Sequence, residues 1–582
     1  MGRQPQKNTD NSPMDWGSDA IAELLRRLDF RYVSLNPGAS YRGLHDSIVN
    51  YLGNENPAMI LALHEEHAVA IAHGYAKVTG KAMAVFLHTN VGLMHATLAI
   101  FNAWCDRVPI VIIGATGPLD AARRRPWIEW VHTTQDLGGL VRNFTKWDNQ
   151  PGSVPAAFEA IVRAKLLAST APCGPVYVCL DVALQEDELE SEPEFPNLSR
   201  FPQPSLPAPS EATMEQAANL LVEARNPLIL AGRVSRDSEA WDRRIALAEV
   251  MDAKVMTSLR QGAAFPTSHR LHACPSRTSL DDEGEALLCG ADVIISLDWV
   301  DLAGTLKQVF KQSSVDAKII HCSLDSYNHR GWSMDYQALP PLDLSILASP
   351  DELVSGLLER IGPARRGEFG SPVALESTSR PENLSDNGFR DDSLIDLRHL
   401  ARCLGKLKGG RKVCITRLPS GWPGEECDFL DPLDFLGGDG GAGLGSGPGL
   451  AVGAALALKG SGRVPVAVLG DGDFLMGVTA LWTAASLRLP LLIIVANNRS
   501  YNNDVVHQER VALQRGRPVE NKWIGQRLDE PAPDLAGIAK AQGFEGEGPI
   551  EKFCDLEQAI ERGLSAAEDG LCYLVDVLVH PI

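Results

Sequence analysis

Short, uniformly apolar, β-branched runs recur along this chain, separated by stretches whose apolar residues fall at helical spacing. Val464–Leu469 and Leu491–Ala496 are the clearest such runs. Strands buried on both faces of a parallel sheet read this way, with no alternation of polar and apolar positions. Between them, Phe474–Leu489 places Leu475, Val478, Leu481, Trp482 and Ala485 on one helical face, so the unit predicts strand–helix–strand. A right-handed crossover would return the second strand parallel to the first and bring both carboxyl ends to one edge. Asp471 and Asn498 follow those ends directly, so topology alone sets them side by side.

The same pattern runs through the rest of the chain. Near the start it predicts a helix over Asp19–Leu28, a strand over Tyr32–Leu35, a turn at Asn36-Pro-Gly and a strand over Met59–Leu63. A helix over Ala68–Val78, opened by His64-Glu65-Glu66, comes next, then a strand over Ala82–Leu87, a helix through Trp104 and a strand over Ile110–Ile113. Asn36, Glu65 and His88 all fall at carboxyl ends of strands, where open α/β sheets bind ligands. Asn226–Arg233 and Ala291–Asp298 continue the series in the middle of the chain. Two stretches break it: residues 185–211, acidic then proline-rich, and residues 363–392, rich in Pro, Gly, Ser and charge. Read as linkers, they leave blocks of 14–184, 212–362 and 393–582. The expected fold class is α/β, with three doubly wound parallel-sheet domains.

Composition narrows the function classes. The chain has 582 residues, 45% hydrophobic, which suits several soluble globular domains. A net charge of −20 argues against general affinity for nucleic acid or anionic membrane. The 11 cysteines are scattered without a Cys-x-x-Cys pair and read as buried thiols of a reducing compartment. The first residues are polar and no apolar run reaches membrane-spanning length, so the expected location is cytoplasmic.

A carboxylate (Asp471), an amide oxygen (Asn498) and neighbouring carbonyls suit a hard cation such as Mg²⁺. Gly470 and Gly472 would let a diphosphate approach the backbone. The passage Gly470-Asp-Gly through Asn497-Asn498 resembles the motif of the thiamine diphosphate enzyme superfamily that includes pyruvate oxidase, acetolactate synthase and benzoylformate decarboxylase. That resemblance implies a metal held by Asp471, Asn498 and the Ser500 carbonyl. It also names the three domains in order: pyrimidine-binding, central and diphosphate-binding.

Leu63-His-Glu-Glu-His-Ala-Val-Ala-Ile-Ala-His-Gly-Tyr-Ala-Lys-Val-Thr-Gly resembles the pyrimidine-domain signature of the same superfamily, with the cofactor glutamate at Glu65. A carboxyl hydrogen-bonded to the pyrimidine N1′ favours the imino tautomer, which can remove the thiazolium C2 proton. Glu66 fits an ordinary helix-start surface residue. Phe86-Leu-His-Thr-Asn-Val-Gly is similar to benzoylformate decarboxylase, which implies an acid/base role for His88; read alone, His88 would be structural. By the same resemblance Gln135 is the substrate-pocket glutamine, Leu444 props the bent cofactor and the Ala442 carbonyl faces its 4′-amino group. Cofactor contacts are implied for Asn36, Pro37, Ser420, Gly470, Gly472, Asp473 and Tyr501. His64 is placed near the same pocket, while His45, His67, His73 and His95 read as structural or surface residues.

Gly440–Gly449 otherwise reads as a flexible glycine loop preceding a helix over Leu450–Lys459, and Arg123–Arg125 as a solvated loop or an aid to anion binding. Tyr501–Asp529, polar and poorly periodic, reads as a long lid-like loop from which His507, Gln508, Glu509 and Trp523 reach substrate. Gly232 and Gly290 make no dinucleotide fingerprint, which argues against FAD without excluding it.

The chemistry implied is cleavage or formation of a C–C bond next to a carbonyl, on a 2-oxo acid or aldehyde. Departures from the acetolactate synthase pattern (Thr134-Gln-Asp and Asn90-Val-Gly) favour a 2-oxo acid decarboxylase or carboligase over an acetolactate synthase-like carboligase. Ala39 departs from the pocket serine of benzoylformate decarboxylase. A third alternative is a ThDP-binding or regulatory protein without turnover. The resemblance also implies at least a homodimer, with a homotetramer as the larger assembly.

Overall fold

The structure is a computed structural model that describes residues 13–311, 313–325, 338–365 and 394–580. Most of the 363–392 stretch expected to be a linker lies outside the described residues.

Three parallel sheets follow one another along the chain. The first contains β1 (Tyr32–Leu35), β2 (Ala58–Leu61), β3 (Met83–Leu87), β4 (Ile110–Thr116), β5 (Asp148–Asn149) and β6 (Pro175–Asp181), in the order β2-β1-β3-β4-β6-β5. The second contains β7 (Pro227–Ala231), β8 (Lys254–Met256), β9 (Val293–Leu297), β10 (Lys318–Cys322) and β11 (Leu344–Ile346), in the order β11-β10-β9-β7-β8. The third contains β12 (Val413–Arg417), β13 (Val464–Gly470), β14 (Leu491–Asn497), β15 (Glu545–Ile550) and β16 (Cys572–Leu578), in the order β12-β13-β14-β16-β15. The strands β3, β4, β6, β9 and β14 are buried along their whole length, which is why their sequences are apolar without alternation.

The first and third sheets share a core, while the second packs clusters of its own. One hydrophobic cluster runs from Ile60, Val85 and Ile112 of the first sheet through Ala451 and Val452 to Leu469, Ile493 and Leu574 of the third. Two helices lie in that shared layer, Glu65–Thr79 and Ser446–Leu458, and nearly all their residues are buried. Their backbones approach so closely that only glycine fits at the crossings. A Cβ on Gly74 would overlap the Leu450 carbonyl oxygen, and one on Gly453 the Ile71 carbonyl oxygen; on Gly449 it would sit 2.6 Å from the Ala70 Cβ. Further ties are His67 Nε2 to Thr479 Oγ1, 2.9 Å, and the Thr483 hydroxyl donating to the Leu61 carbonyl, 2.8 Å.

A buried ionic junction holds the three sheets together. Lys77 donates to Asp106 Oδ2 at 2.6 Å and to the Gly438 carbonyl, and His73 Nε2 lies 2.8 Å from the same Asp106 oxygen. Burial would raise the Asp106 carboxyl, but Lys77 and His73 outweigh it and hold it at about 2. Next to it, Arg107 pairs with Asp325 at 2.7 Å, and Arg233 of the second sheet pairs with both Asp298 and Asp325.

Three expected elements differ. The 474–489 helix is two pieces, Asp471–Gly477 and Ala480–Leu487. The glycine run is not a free loop up to Leu450, because its helix begins at Ser446. The stretch after Asn498 is not a structureless lid: Asn502–Gln514 is a helix and Val519–Trp523 a 3₁₀ turn. Only Val505 and Ala512 of that helix are buried, so it shows no apolar stripe in sequence. Backbone bonds from Tyr501 to Gln526 and from Leu528 to Arg499 tie together the two ends of the segment that contains it. Among the described residues, no helix is long and apolar enough to cross a membrane. Most of the cysteines are buried as expected, but Cys289 and Cys554 are exposed.

Candidate active site

The order β2-β1-β3 gathers the first group of candidate residues. Leu35 of β1 pairs with Leu61 of β2 and with Phe86 of β3, so Asn36, the start of the Glu65 helix and His88 leave the sheet at one level. Asn36 donates its side-chain amide to the Ala62 carbonyl at 3.0 Å, which fixes the turn that carries Pro37.

Glu65 opens its helix, and His64 is the N-cap, its Nδ1 accepting the Glu66 amide at 3.1 Å. The Glu65 side chain is buried, and its Oε2 lies 3.1 Å from His95 Nδ1. His95 comes from the Asn90–Cys105 helix, and its ring stacks on His64 at 4.9 Å. His95 is therefore not the bystander expected from sequence: it touches the candidate glutamate.

His88 is half-buried. Its Nδ1 lies 2.9 Å from Ser40 Oγ, and its ring meets His132 edge-on at 4.9 Å. Burial lowers the His88 pKa first, and the neighbouring His132 lowers it further, so the imidazole is neutral near pH 7. The space for this ring is made by glycine. A Cβ on Gly38 would lie 2.5 Å from the His88 Cβ, and one on Gly92 would lie 3.0 Å from it and 3.3 Å from Glu65 Oε1. Ala39 is not the pocket serine of benzoylformate decarboxylase, but Ser40 is buried beside it and supplies a hydroxyl to His88. Only the fold reveals this contact. Gln135 is exposed, on the turn after His132.

The second group lies at the edge of the third sheet. Gly470 pairs with Ala496, so Asp471 and Asn498 leave adjacent strands, as the strand–helix–strand pattern predicts. Asp471 Oδ1 accepts the Gly472 amide at 2.9 Å and its Oδ2 the Ser500 amide at 3.1 Å; Asn498 Oδ1 accepts both the amide and the hydroxyl of Ser500 at 3.0 Å. Burial pushes the Asp471 carboxyl up to about 6, against these backbone donors. Among the described residues no Lys or Arg forms an ion pair with it. A buried carboxylate without a counter-ion, beside an amide oxygen and backbone carbonyls, fits a hard divalent cation.

The two glycines of this turn differ. A Cβ on Gly470 would meet nothing within 4 Å, so the space above it is open to a ligand; a Cβ on Gly472 would lie 2.6 Å from the Tyr501 ring. Gly472 thus makes room for Tyr501. Asp473 turns inward: its Oδ1 accepts the amides of Gly445 and Gly447, at 2.7 and 3.3 Å, and it faces Arg417. Asp439 binds Arg417 at 3.0 Å, the Ser446 hydroxyl and the Ala442 amide. Two aspartates and one arginine thereby shape the glycine run. Ala442 is held at φ +56°, a left-handed conformation that costs an alanine energy and re-aims its carbonyl, while Leu444 remains 39% exposed. Ser420 is exposed, before Gly421 at φ +78°.

Glu66 corrects another expectation. It is not a surface residue: its Oε1 is buried without a hydrogen-bond partner, and burial, with Asp473 nearby, raises its carboxyl. Arg123, Arg124 and Arg125 are engaged by Asp187, the Pro118 and Leu119 carbonyls, and Glu129. Glu509 pairs with Lys522 at 2.7 Å, and Arg527 lies over the Trp523 ring.

Residues 15–137 match the family described as thiamine pyrophosphate enzyme, N-terminal TPP binding domain. Residues 214–338 match its central domain, and residues 420–577 its C-terminal TPP binding domain. The chain is 26% identical to benzoylformate decarboxylase of Pseudomonas aeruginosa, over 97% of this chain and 99% of that one. It is 23% identical to a probable acetolactate synthase large subunit of Methanocaldococcus jannaschii, over 97% of this chain and 92% of that one. Among solved structures it resembles a thiamine diphosphate-dependent 4-hydroxybenzoylformate decarboxylase from Rhodococcus jostii (TM-score 0.75, 22% identity, covering 97% and 99%). It also resembles benzoylformate decarboxylase from Polynucleobacter necessarius (TM-score 0.75, 21% identity, covering 97% and 99%). These structural likenesses bear on the fold alone.

Proposed function

This chain belongs to the thiamine diphosphate-dependent enzyme superfamily, and on that premise we propose that it decarboxylates a 2-oxo acid with an apolar or aryl side chain. Thiamine diphosphate-dependent cleavage or formation of a C–C bond next to a carbonyl follows from membership, and the alternative of a binder without turnover is set aside. The narrower reading rests on the His88 arrangement: a neutral imidazole, held by Ser40 and edge-on to His132, at the strand end beside Glu65.

Bound thiamine diphosphate supplies the nucleophilic carbon and the electron sink that loss of a carboxylate requires. Asp471, Asn498 and the Ser500 carbonyl would hold Mg²⁺, whose charge would offset that of the buried Asp471. Gly470 leaves open space in which the diphosphate would lie, with Ser420 and Tyr501 as its further contacts, and Leu444 with the Ala442 carbonyl would support the pyrimidine side. Glu65 holds the proton at the pyrimidine N1′. His88, neutral at pH 7, accepts or returns a proton at the substrate carbon, and the Ser40 hydroxyl keeps its ring in place. Trp127, Trp130 and Val131 are exposed on the turn that carries His132, and they give the substrate an apolar wall. Gln135, exposed on the same turn, would contribute its amide to that opening.

The complete site uses two copies of the chain. Among the described residues no hydrogen bond or ion pair joins Glu65 and His95 to Asp471 and Asn498. Leu61, Leu63, Val91, Met94 and Leu98 are exposed apolar residues around Glu65 and His95, a surface that a second copy covers. The assembly is at least a homodimer, with a dimer of dimers as the larger form. Its mostly buried, scattered cysteines suit a reducing, cytoplasmic setting.

The test is holoenzyme incubated with a panel of 2-oxo acids, with CO₂, aldehyde and acyloin measured. CO₂ with free aldehyde from an apolar substrate is expected. Acyloin as the main product would reassign the chain to carboligation, and silence across the panel with cofactor bound would overturn the decarboxylase reading.

A further inference from the structure

We propose that His95 is a positioning residue for Glu65: its Nδ1–H donates to Oε2 of the carboxyl and leaves Oε1 as the oxygen presented to the cofactor. This deepens the function proposed above and rests on Glu65 being the N1′ partner.

The contact is built in three steps. The Glu66 amide donates to His64 Nδ1 at 3.1 Å, which fixes the orientation of the His64 ring. His95 stacks on His64, with ring centroids 4.9 Å apart and planes 13° from parallel. Stacked in this way, His95 places Nδ1 3.1 Å from Glu65 Oε2. One polar atom from each of His64, Glu65 and His95 falls within 4.8 Å of the others. The backbone amide that starts the helix therefore determines, through two imidazoles, how the buried carboxyl is turned.

A carboxyl has two equivalent oxygens and rotates about its last bond, so a buried glutamate without a second contact presents either one. Glu65 Oε1 faces the space left by Gly92. With Oε2 occupied by His95, the proton that N1′ needs is carried on Oε1, and the two states of the carboxyl keep one geometry. The His95 side chain is 59% exposed in the single chain, on the face formed by Val91, Met94 and Leu98, so its other nitrogen can exchange protons with water until that face is covered. The remaining groups that face Glu65 are His88 from the end of β3, and Tyr41, whose hydroxyl donates to the Asn36 carbonyl.

The experiment measures hydrogen–deuterium exchange at C2 of the bound cofactor by quenched-flow NMR, with no substrate present, alongside the cofactor dissociation constant. The proteins are wild type, His95→Leu, His95→Asn and Glu65→Gln. His95→Leu should slow exchange roughly 10- to 100-fold, as expected for loss of one hydrogen bond to a charged group. The dissociation constant should change by less than about threefold. His95→Asn, whose amide nitrogen falls near the imidazole Nδ1, should recover most of the rate. Glu65→Gln should abolish rapid exchange. If Glu65→Gln abolishes exchange and His95→Leu leaves it within about twofold of wild type, the role of His95 is overturned while that of Glu65 stands. If Glu65→Gln leaves exchange intact, the reading of Glu65 fails and the His95 proposal with it. Should the leucine variant not take up cofactor, His95→Ser, too short to reach Glu65, takes its place: slowed exchange supports the role of His95, and a wild-type rate overturns it.

Discussion

Replacing Lys77 by Met tests whether the ionic junction supports the cofactor loop. Lys77 is buried, bonds Asp106 at 2.6 Å and donates to the carbonyl of Gly438, at the start of the glycine run that carries Ala442 and Leu444. Removing one partner of a buried ion pair costs about 3–5 kcal/mol. His73 stays 2.8 Å from the same oxygen, which argues for the lower end, about 3 kcal/mol. The sign with pH follows from Asp106. Its carboxyl is held at about 2, below its ordinary 3.8, so its stabilising contribution is present above pH 3.8 and lost as pH falls through about 2. In the variant that carboxyl moves up, so the damage is greatest at neutral pH and shrinks as acid protonates it. Unfolding of a chain with three sheets need not be two-state, so the assay is the rate of thermal inactivation at pH 7 and pH 5, with cofactor affinity measured in parallel. Lys77→Met should inactivate faster and bind cofactor more weakly, and Asp106→Asn added to it should recover much of the loss. A double variant worse than the single, or a single with unchanged stability, would refute this account of the junction.

Cofactor binding should weaken as pH falls through about 6, because the buried Asp471 must lose its proton to bind a divalent cation; titration calorimetry from pH 5 to 8 would show a flat affinity if Asp471 were not a ligand. For the same reason the apoprotein should gain stability from this carboxyl in acid and lose it as pH rises through about 6. Gly38→Ala should displace His88, since its Cβ would lie 2.5 Å from the His88 Cβ; decarboxylation should fall at least tenfold, with cofactor affinity kept, and unchanged kinetics would show that His88 is not at the reacting atoms. Gly453→Ala should destabilise the fold by several kcal/mol, because its methyl would overlap the Ile71 carbonyl; a wild-type melting curve would contradict the close helix crossing.

Much of this arrangement is legible in the sequence wherever topology does the placing. Uniform apolar runs predict buried parallel strands, and the residues just past their ends, Asn36, Glu65, His88, Asp471 and Asn498, are brought to two sheet edges as expected. What a linear reading misses depends on side-chain direction and on contacts between elements. Ser40 and Ala39 look interchangeable in a turn, yet only Ser40 reaches His88. Glu66 and Glu65 are neighbours on a helix, and the turn between them sends one toward Asp473 and the other toward His95. His95 lies in the second turn of a helix whose spacing does not single it out. The 502–514 helix is hidden because it buries only two side chains and sits in a segment closed by backbone bonds between residues 499–501 and 526–528.

The glycine crossing between the Glu65–Thr79 and Ser446–Leu458 helices has a mechanical meaning. With no side chains between the two backbones at Gly74 and Gly453, they have no slack in which to slide. The lever that ends in Glu65 and the one that begins at the glycine run of the same chain are a single stiff beam. In a homodimer whose sites each drew Glu65 from one copy and the glycine run from the other, that beam would tie the geometry of one site to the geometry of the other.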